Sequence, residues 1–374
     1  MNLNLQQIII TGDIFRPNKF GNAGQDININ WLYHMLCYPL NLATGLPVKK
    51  YLFSKHPESL TKFAYDEIGE EISTEAWGKL YYFQDFTEQF LQKIWLTFRD
   101  SLIVSFELPE ILRYAFQRLG IFYIDIVIHP ARFLDDVIFG IRSNCKAIQS
   151  NLDYYQISQE YIHLNAGYVM ATMSRLKRLP IQGKTAIFAG QTGDDKVLIK
   201  DGKFLNIGHF QEDFYEIVKK YDTVILKPHP YNKNAFDVIS MSRIFENCVV
   251  YQENFYYILS HDNVEAVYSI TSSTSIEAKY FDKIGYHLGE YPFKFVGLTG
   301  AKNDFSDGDI FIPIDDAILS TDFWRNILQD TTSVTKFSGV QIPNKPNRIR
   351  KSLRNFWGFN FVDTDIICEL YQKR

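Results

Sequence analysis

The chain has 374 residues, a net charge of −4 and 46% hydrophobic residues, enough apolar side chain for the cores of two folded units and no global positive field to attract nucleic acid. Its four cysteines, Cys37, Cys145, Cys248 and Cys368, stand far apart with no metal-ligand spacing, so they read as reduced packing residues of a cytosolic protein and imply no zinc site. No basic segment leading into an apolar run opens the sequence and no run of about 18 apolar residues occurs, so neither a signal peptide nor a membrane span is expected.

Gln7 to Thr11 reads as a short apolar strand ending at Gly12-Asp13, followed by the glycine-containing loop Gly21 to Gln25 and a helix from Ile29 to Tyr38. Strand, loop and helix in that order form the first unit of a Rossmann-like α/β domain. Asp13 then stands at the carboxyl edge of the strand, where it is either a functional carboxylate or a turn residue. Lys50 to Phe53 reads as a second strand, followed by the polar stretch Ser54 to Gly78, in which the His56-Pro57 pair reads as a loop. Helical patterning resumes from Phe86 to Arg99. A buried strand then ends at Glu107, a helix starts with Pro109 in its first turn, and a second buried strand ends at His129-Pro130. Arg132, Asp135 and Asp136 follow at once. Arg132 and Asp136, four apart, are either a helical ion pair or contacts to an acceptor or a sugar. Interrupted helices fill Asn144 to Lys177, and a basic cluster near Arg178 to Lys184 marks a linker.

The second half opens with a β-rich run into the tight polar loop Gly190-Gln191-Thr192-Gly193, suited to close backbone approach to a ligand. Neither GxGxxG nor GxxxxGK[ST] occurs, so dinucleotide and P-loop signatures are absent. Thr223 to Leu226 and Ala266 to Ile270 are strand-like runs, and each ends in a polar turn: Lys227-Pro228-His229-Pro230 and Ser272-Ser273-Thr274-Ser275, the latter opening into a helix. Each element alone has a plain structural explanation, a strand stop for the prolines and an N-cap for the serines. On neighbouring α/β units of one domain, however, a cation, an imidazole and hydroxyls beyond the strand ends suit an anion, and phosphate in particular. Asp307-Gly308-Asp309 and Asp363-Thr364-Asp365 read as turns or helix starts and not as metal sites.

The pairing of Lys227-Pro228-His229-Pro230 with Ser272-Ser273-Thr274-Ser275 resembles the HP and serine motifs of bacterial transferases that use CMP-activated nonulosonic or ulosonic acids, the sialyltransferase, pseudaminosyltransferase and capsule Kdo transferase group. The resemblance covers the C-terminal half well and the N-terminal half loosely; the acidic motif of the sialyltransferases is missing from its usual N-terminal place. It implies a GT-B fold, two Rossmann-like domains with a cleft between them: residues 1–178 for the acceptor, 179–345 for the CMP-sugar, and 346–374 as a helix crossing back to the first. It also implies that His229 and the serines hold the CMP phosphate, with Gly190, Gln191, Thr192, Lys227, Pro230, Ser272, Ser273 and Thr274 around the nucleotide. Asp13 and Glu107, in that order, are the expected catalytic bases, with the glycines around Asp13 leaving room for an acceptor. No cofactor beyond the donor is implied. The acceptor would be a surface glycan, lipid-linked in some of these systems, which implies peripheral association with the cytoplasmic face of the inner membrane. A polysaccharide pyruvyltransferase and a non-catalytic CMP-sugar or phosphate-binding protein are the alternatives.

Overall fold

The computed structural model describes residues 4–229, 236–298, 309–337, 339 and 348–353. Pro230 and the tail beyond 353, with Trp357 and Cys368, lie outside the described residues, as does Asp307.

Two sheets organise the chain. The first has seven strands in the order β13-β14-β5-β4-β3-β1-β2: β1 (Gln7–Gly12), β2 (Val48–Lys50), β3 (Ser101–Phe106), β4 (Tyr123–Ile128) and β5 (Phe139–Ser143) come from the N-terminal half. The second takes β6 (Thr185–Ala189); a small hairpin of β7 (Ile199–Lys200) and β8 (Lys203–Phe204) intervenes before β9 (Thr223–Lys227), β10 (Cys248–Val250), β11 (Val264–Ser269) and β12 (Ile284–His287) complete it. Its order is β10-β9-β6-β11-β12, all parallel. The chain then returns to the first sheet with β13 (Lys294–Phe295) and β14 (Ile310–Ile314), and β14 pairs antiparallel with β5.

The second sheet is covered on both faces, which its sequence dictates. Ile187, Ala189, Ile225 and Val267 point into one core, while Ala186, Phe188, Val224, Leu226 and Ala266 point into the other. Parallel strands buried on both sides need such continuous apolar runs. The first sheet is built likewise around β1, β3 and β4, whose core also gathers Phe323, Trp324, Ile327 and Leu328 from the helix Thr321–Leu328.

His56-Pro57 lies outside helix and strand, as expected. The rest of the polar stretch Ser54 to Gly78 folds largely into helices at Leu60–Glu67 and Thr74–Tyr81, each started by a serine, Ser59 or Ser73, whose side chain accepts a backbone N–H of the first turn. The expected boundaries at residues 178 and 345 do not follow the packing. The helix Gln159–Met173 buries Ile162, Ala166, Val169 and Met173 against the second sheet's core, and β13 and β14 belong to the first sheet. The second unit is thus an insertion between β5 and β14, a pairing too distant in sequence for local patterning to reveal. The short helix Arg348–Leu353 lies on the first unit, where Trp31 Nε1 donates to Ser352 Oγ at 2.9 Å. Among the described residues, no helix is long and apolar enough to cross a membrane.

The helix that follows Ser273 is pressed onto β12 so closely that a Cβ built on Gly285 would stand 1.6 Å from the carbonyl oxygen of Ser275. Backbone cannot yield as a flexible side chain can, so Gly285→Ala should cost about 3 kcal/mol by overpacking. Equilibrium urea unfolding of both proteins checks this; a midpoint equal to that of the parent would disprove the close fit.

Candidate functional site

In each sheet the strand order reverses beside the first strand of its unit. The reversals fall between β1 and β3 in the first sheet and between β6 and β11 in the second. Ligands of open α/β sheets collect beyond the carboxyl ends of the strands at such reversals, where neighbouring loops splay to opposite faces. Here the two reversals face one cavity of about 420 Å³. From the first unit come Arg16, Gln25, Asn28, Glu107 and Arg132; from the second come Gln191, Thr192, Asp195, Lys196, His229 and the turn Thr271 to Ser273, with Tyr291 and Phe293 on the way back.

The second-unit wall is fixed by a two-way clasp. Gln191 Oε1 accepts the N–H of Thr271 at 2.7 Å while its Nε2 donates to Thr271 Oγ1 at 3.1 Å. The loops after β6 and β11 are thereby tied together, and both Thr192 and Ser273 lie on the lining. Ser273 makes no capping bond to the helix Thr274–Glu277. Ser269 Oγ, within hydrogen-bond distance of Ser275 Oγ at 2.8 Å, accepts the Ser272 N–H at 3.0 Å and holds the turn from below.

On the opposite wall Glu107 follows β3 with φ +58, a left-handed conformation uncommon outside glycine. Its carboxylate meets Lys196 Nζ at 2.9 Å. Burial pushes the Glu107 carboxyl up, but Lys196, Arg16 and Arg132 together outweigh it and hold it below the ordinary range. Lys196 is itself buried and lies 5.1 Å from the centre of the Phe293 ring. Asp195, the other carboxylate of the lining, is raised, chiefly by burial.

Asp13 is corrected. It is 2% exposed and does not line the cavity. Its Oδ1 accepts the N–H groups of Phe15 and Arg16, both at 3.1 Å, and its Oδ2 accepts the Trp77 indole at 3.0 Å. Burial raises its pKa to about 6 against these favourable bonds. Trp77 in turn lies 4.9 Å beneath the Arg16 guanidinium, whose Nη2 donates to the Asp194 carbonyl at 2.9 Å. Asp13 is therefore the foundation of the loop that presents Arg16. The glycine loop does not make room for an acceptor: a Cβ on Gly24 would meet the Arg16 and Pro17 carbonyls at 2.9 and 3.0 Å, so glycine serves close backbone packing.

Of the other anticipated residues, Glu107, Arg132, Gln191, Thr192, His229, Ser272 and Ser273 come together on the lining. Gly190, Lys227, Thr274 and Asp136 do not. Gly190 N–H donates to the Lys227 carbonyl at 2.9 Å, Lys227 Nζ reaches the Gln252 carbonyl at 3.4 Å, and Thr274 is buried behind the turn. Asp136 caps a helix, accepting the N–H groups of Ile349 and Arg350 at 3.0 and 2.9 Å. Burial, then Lys227, lowers the His229 pKa to about 4, which favours the neutral imidazole at neutral pH. Arg16, Asp195, Lys196 and Tyr291 were not anticipated. Asp195-Lys196 stand two residues past Gly193, and a βα loop read to its end would have included them; nothing distinguishes Tyr291 from a core aromatic. Among the described residues there is no cluster of three His, Cys, Asp or Glu that could hold a metal.

A buried carboxyl group joins the units beside the cavity. Glu277 is 1% exposed; its Oε1 accepts the Arg132 N–H at 2.6 Å and the Tyr256 hydroxyl at 2.8 Å. Burial raises its pKa to about 7 despite both bonds.

No protein-family profile matches the chain, and no curated protein matches it in sequence. Among solved structures it is similar to the KpsC β-Kdo 2,7 transferase of Thermosulfurimonas dismutans, at 14% identity with a TM-score of 0.35, over 65% of this chain and 80% of that one. It is also similar to the KpsC β-Kdo 2,4 transferase of the same organism, at 12% identity with a TM-score of 0.34, over 65% of this chain and 88% of that one.

Because the Glu277 pKa is raised from its usual 4.5 to about 7, the folded state binds more protons than the unfolded state between those values, and ionising this group costs stability as pH rises through the window. Gln keeps both acceptor bonds without that cost. Melting temperatures of Glu277→Gln and the parent should therefore diverge from pH 5 to pH 8, the variant gaining at the higher pH; parallel curves would show that Glu277 is ionised without penalty.

Proposed function

We propose that this chain is a glycosyltransferase of GT-B arrangement that moves an acidic sugar of the nonulosonic or ulosonic class, of sialic or pseudaminic type, from its CMP-activated form to a hydroxyl of a bacterial surface glycan, with inversion and without a metal. The observation that carries the proposal is the meeting of two strand-order reversals on one cavity where, among the described residues, three cations (Arg16, Arg132, Lys196) stand against two carboxylates (Glu107, Asp195), with the polar side chains of Ser272, Ser273, Thr192 and His229 beside them. Such a lining suits a ligand that carries both a phosphate and a carboxylate.

In this mechanism the acceptor oxygen attacks the anomeric carbon while the bond from that carbon to the CMP phosphate oxygen breaks, its electron pair leaving with CMP. The hydroxyl proton passes to Glu107, which stands on the wall opposite His229 and the serine turn. Donors fixed around the leaving phosphate stabilise the charge that develops on it. His229, neutral before the donor binds, donates an N–H hydrogen bond to the phosphate and stabilises the charge that leaves with CMP. Lys196 links the two halves of the reaction. A donor phosphate competes with Glu107 for Lys196, and a Glu107 carboxylate relieved of that cation is a stronger base.

Acceptors of such enzymes are lipid-linked in some systems, and one surface suits association with the cytoplasmic face of the inner membrane. Outward from the core the helix Gln159–Met173 exposes Tyr161, Leu164 and Tyr168 at 45%, 53% and 63%, beside exposed Glu160 and His163, and exposed Arg175 and Lys177 follow its end. Aromatic and aliphatic side chains next to Lys and Arg are the composition of an interfacial anchor on anionic lipid.

Three assays test these proposals. CMP should raise the melting temperature where UDP and GDP do not, and only a CMP-sugar donor, not a pyruvyl donor, should give product. Glu107→Gln should abolish transfer with CMP affinity within about threefold of the parent, and His229→Ala should lower turnover about a hundredfold or more. CMP binding without transfer to any acceptor would leave only a binding protein, and near-normal turnover of Glu107→Gln would remove it as base. Finally, the protein should float with phosphatidylglycerol vesicles, and a Tyr161, Leu164 and Tyr168 to Ser triple variant should not; equal flotation would dismiss this helix as the contact.

A further inference from the structure

A second cavity of about 410 Å³ lies next to the first, and Val197 lines both. Its chemistry is different. The first-unit wall is an ionic lattice: Arg113 binds Glu110 Oε2 at 2.6 Å and Asp309 Oδ1 at 2.9 Å, and Arg142 behind it binds Asp125 Oδ2 at 2.9 Å. The second-unit wall adds Lys200 and Asp201 from the β7–β8 turn, with Glu290 and Lys294 from the segment returning to the first sheet. Among the described residues, four cations thus face four carboxylates on the lining and leave no net charge for an anion, whereas the first lining has an excess of cations. What the second cavity offers is donors and acceptors of both signs together with the apolar surfaces of Tyr82, Leu205 and Pro292. A sugar hydroxyl both donates and accepts, and the C–H face of a sugar ring packs on an aromatic ring such as Tyr82, which is 36% exposed.

The turn that forms the outer wall is built to stay. Asp201 and Gly202 both have positive φ, +49 and +74, the conformation of a tight two-residue hairpin, and the adjoining Phe204 packs at 5.7 Å on Trp77, the same ring that supports Arg16. The cavity is therefore a fixed recess.

We infer that this second cavity is the acceptor site: it takes an uncharged oligosaccharide, whose end passes Val197 and presents its hydroxyl beside Glu107 in the first cavity. The inference rests on the transferase reading of the first cavity for the word acceptor, but the recognition of a neutral glycan stands on the second lining alone. Saturation-transfer NMR on the full chain tests it, with lactose, N-acetyllactosamine and maltotriose as neutral probes and trigalacturonic acid as the acidic one. At least one neutral probe should receive saturation, CMP should not displace it, and both Tyr82→Ala and the exposed Glu290→Gln should weaken it about tenfold while the CMP dissociation constant is unchanged. No signal from any neutral probe, displacement by CMP, preference for the acidic probe, or indifference to both variants would overturn it. CMP binding measured on the same samples separates the two ideas: oligosaccharide binding without CMP binding would sink the transferase reading and uphold the glycan site, and CMP binding without oligosaccharide binding would sink the glycan site alone.

Discussion

The ion pair between Glu107 and Lys196 is the constraint on which the site depends. It joins the end of β3 in the first unit to the loop after β6 in the second, and both partners are largely removed from water. An ion in that position is costly unless matched, so loss of either partner leaves an uncompensated charge, typically worth about 3 to 5 kcal/mol. Two neutral-acceptor or carboxyl ties lie close by: Arg16 to the Asp194 carbonyl, and the Arg132 N–H to Glu277. All three cross from one unit to the other at the rim of the cavity. These polar ties at the cavity add to the apolar anchor of Phe133, Leu134 and Ile138 in the second unit's core, and a ligand that engages Lys196, Arg16 or Arg132 competes for contacts between the units.

What could be read in the sequence follows from what each element depends on. Strands β1, β3, β4, β6, β9 and β11 are short apolar runs bounded by turn residues, and local pattern is enough to find them. Their carboxyl ends then placed Glu107, Gln191, Thr192, His229, Ser272 and Ser273 near a common site, and the structure brings these onto one lining. Asp13 failed for a reason no pattern holds: Trp77, 64 residues away, supplies the donor that completes its shell. Lys227 failed because a residue at a strand end points either toward the loops or across the neighbouring strand, and here β10 draws it to Gln252. Asp136 was claimed by a helix more than 200 residues later in the chain.

The return of β14 to the first sheet has a consequence for the order in which the protein is made. Because β5 has β4 on one side and β14 on the other, the growing chain carries β5 as an open edge throughout synthesis of the whole second unit. The second sheet is continuous in sequence from β6 to β12 and can close as soon as it has left the ribosome, whereas the first must wait for Ile310–Ile314 and for the helix Thr321–Leu328 that covers its core. The earlier half of the sequence is therefore the later to finish, with an apolar strand exposed in the interval, the circumstance in which nascent chains depend most on chaperones.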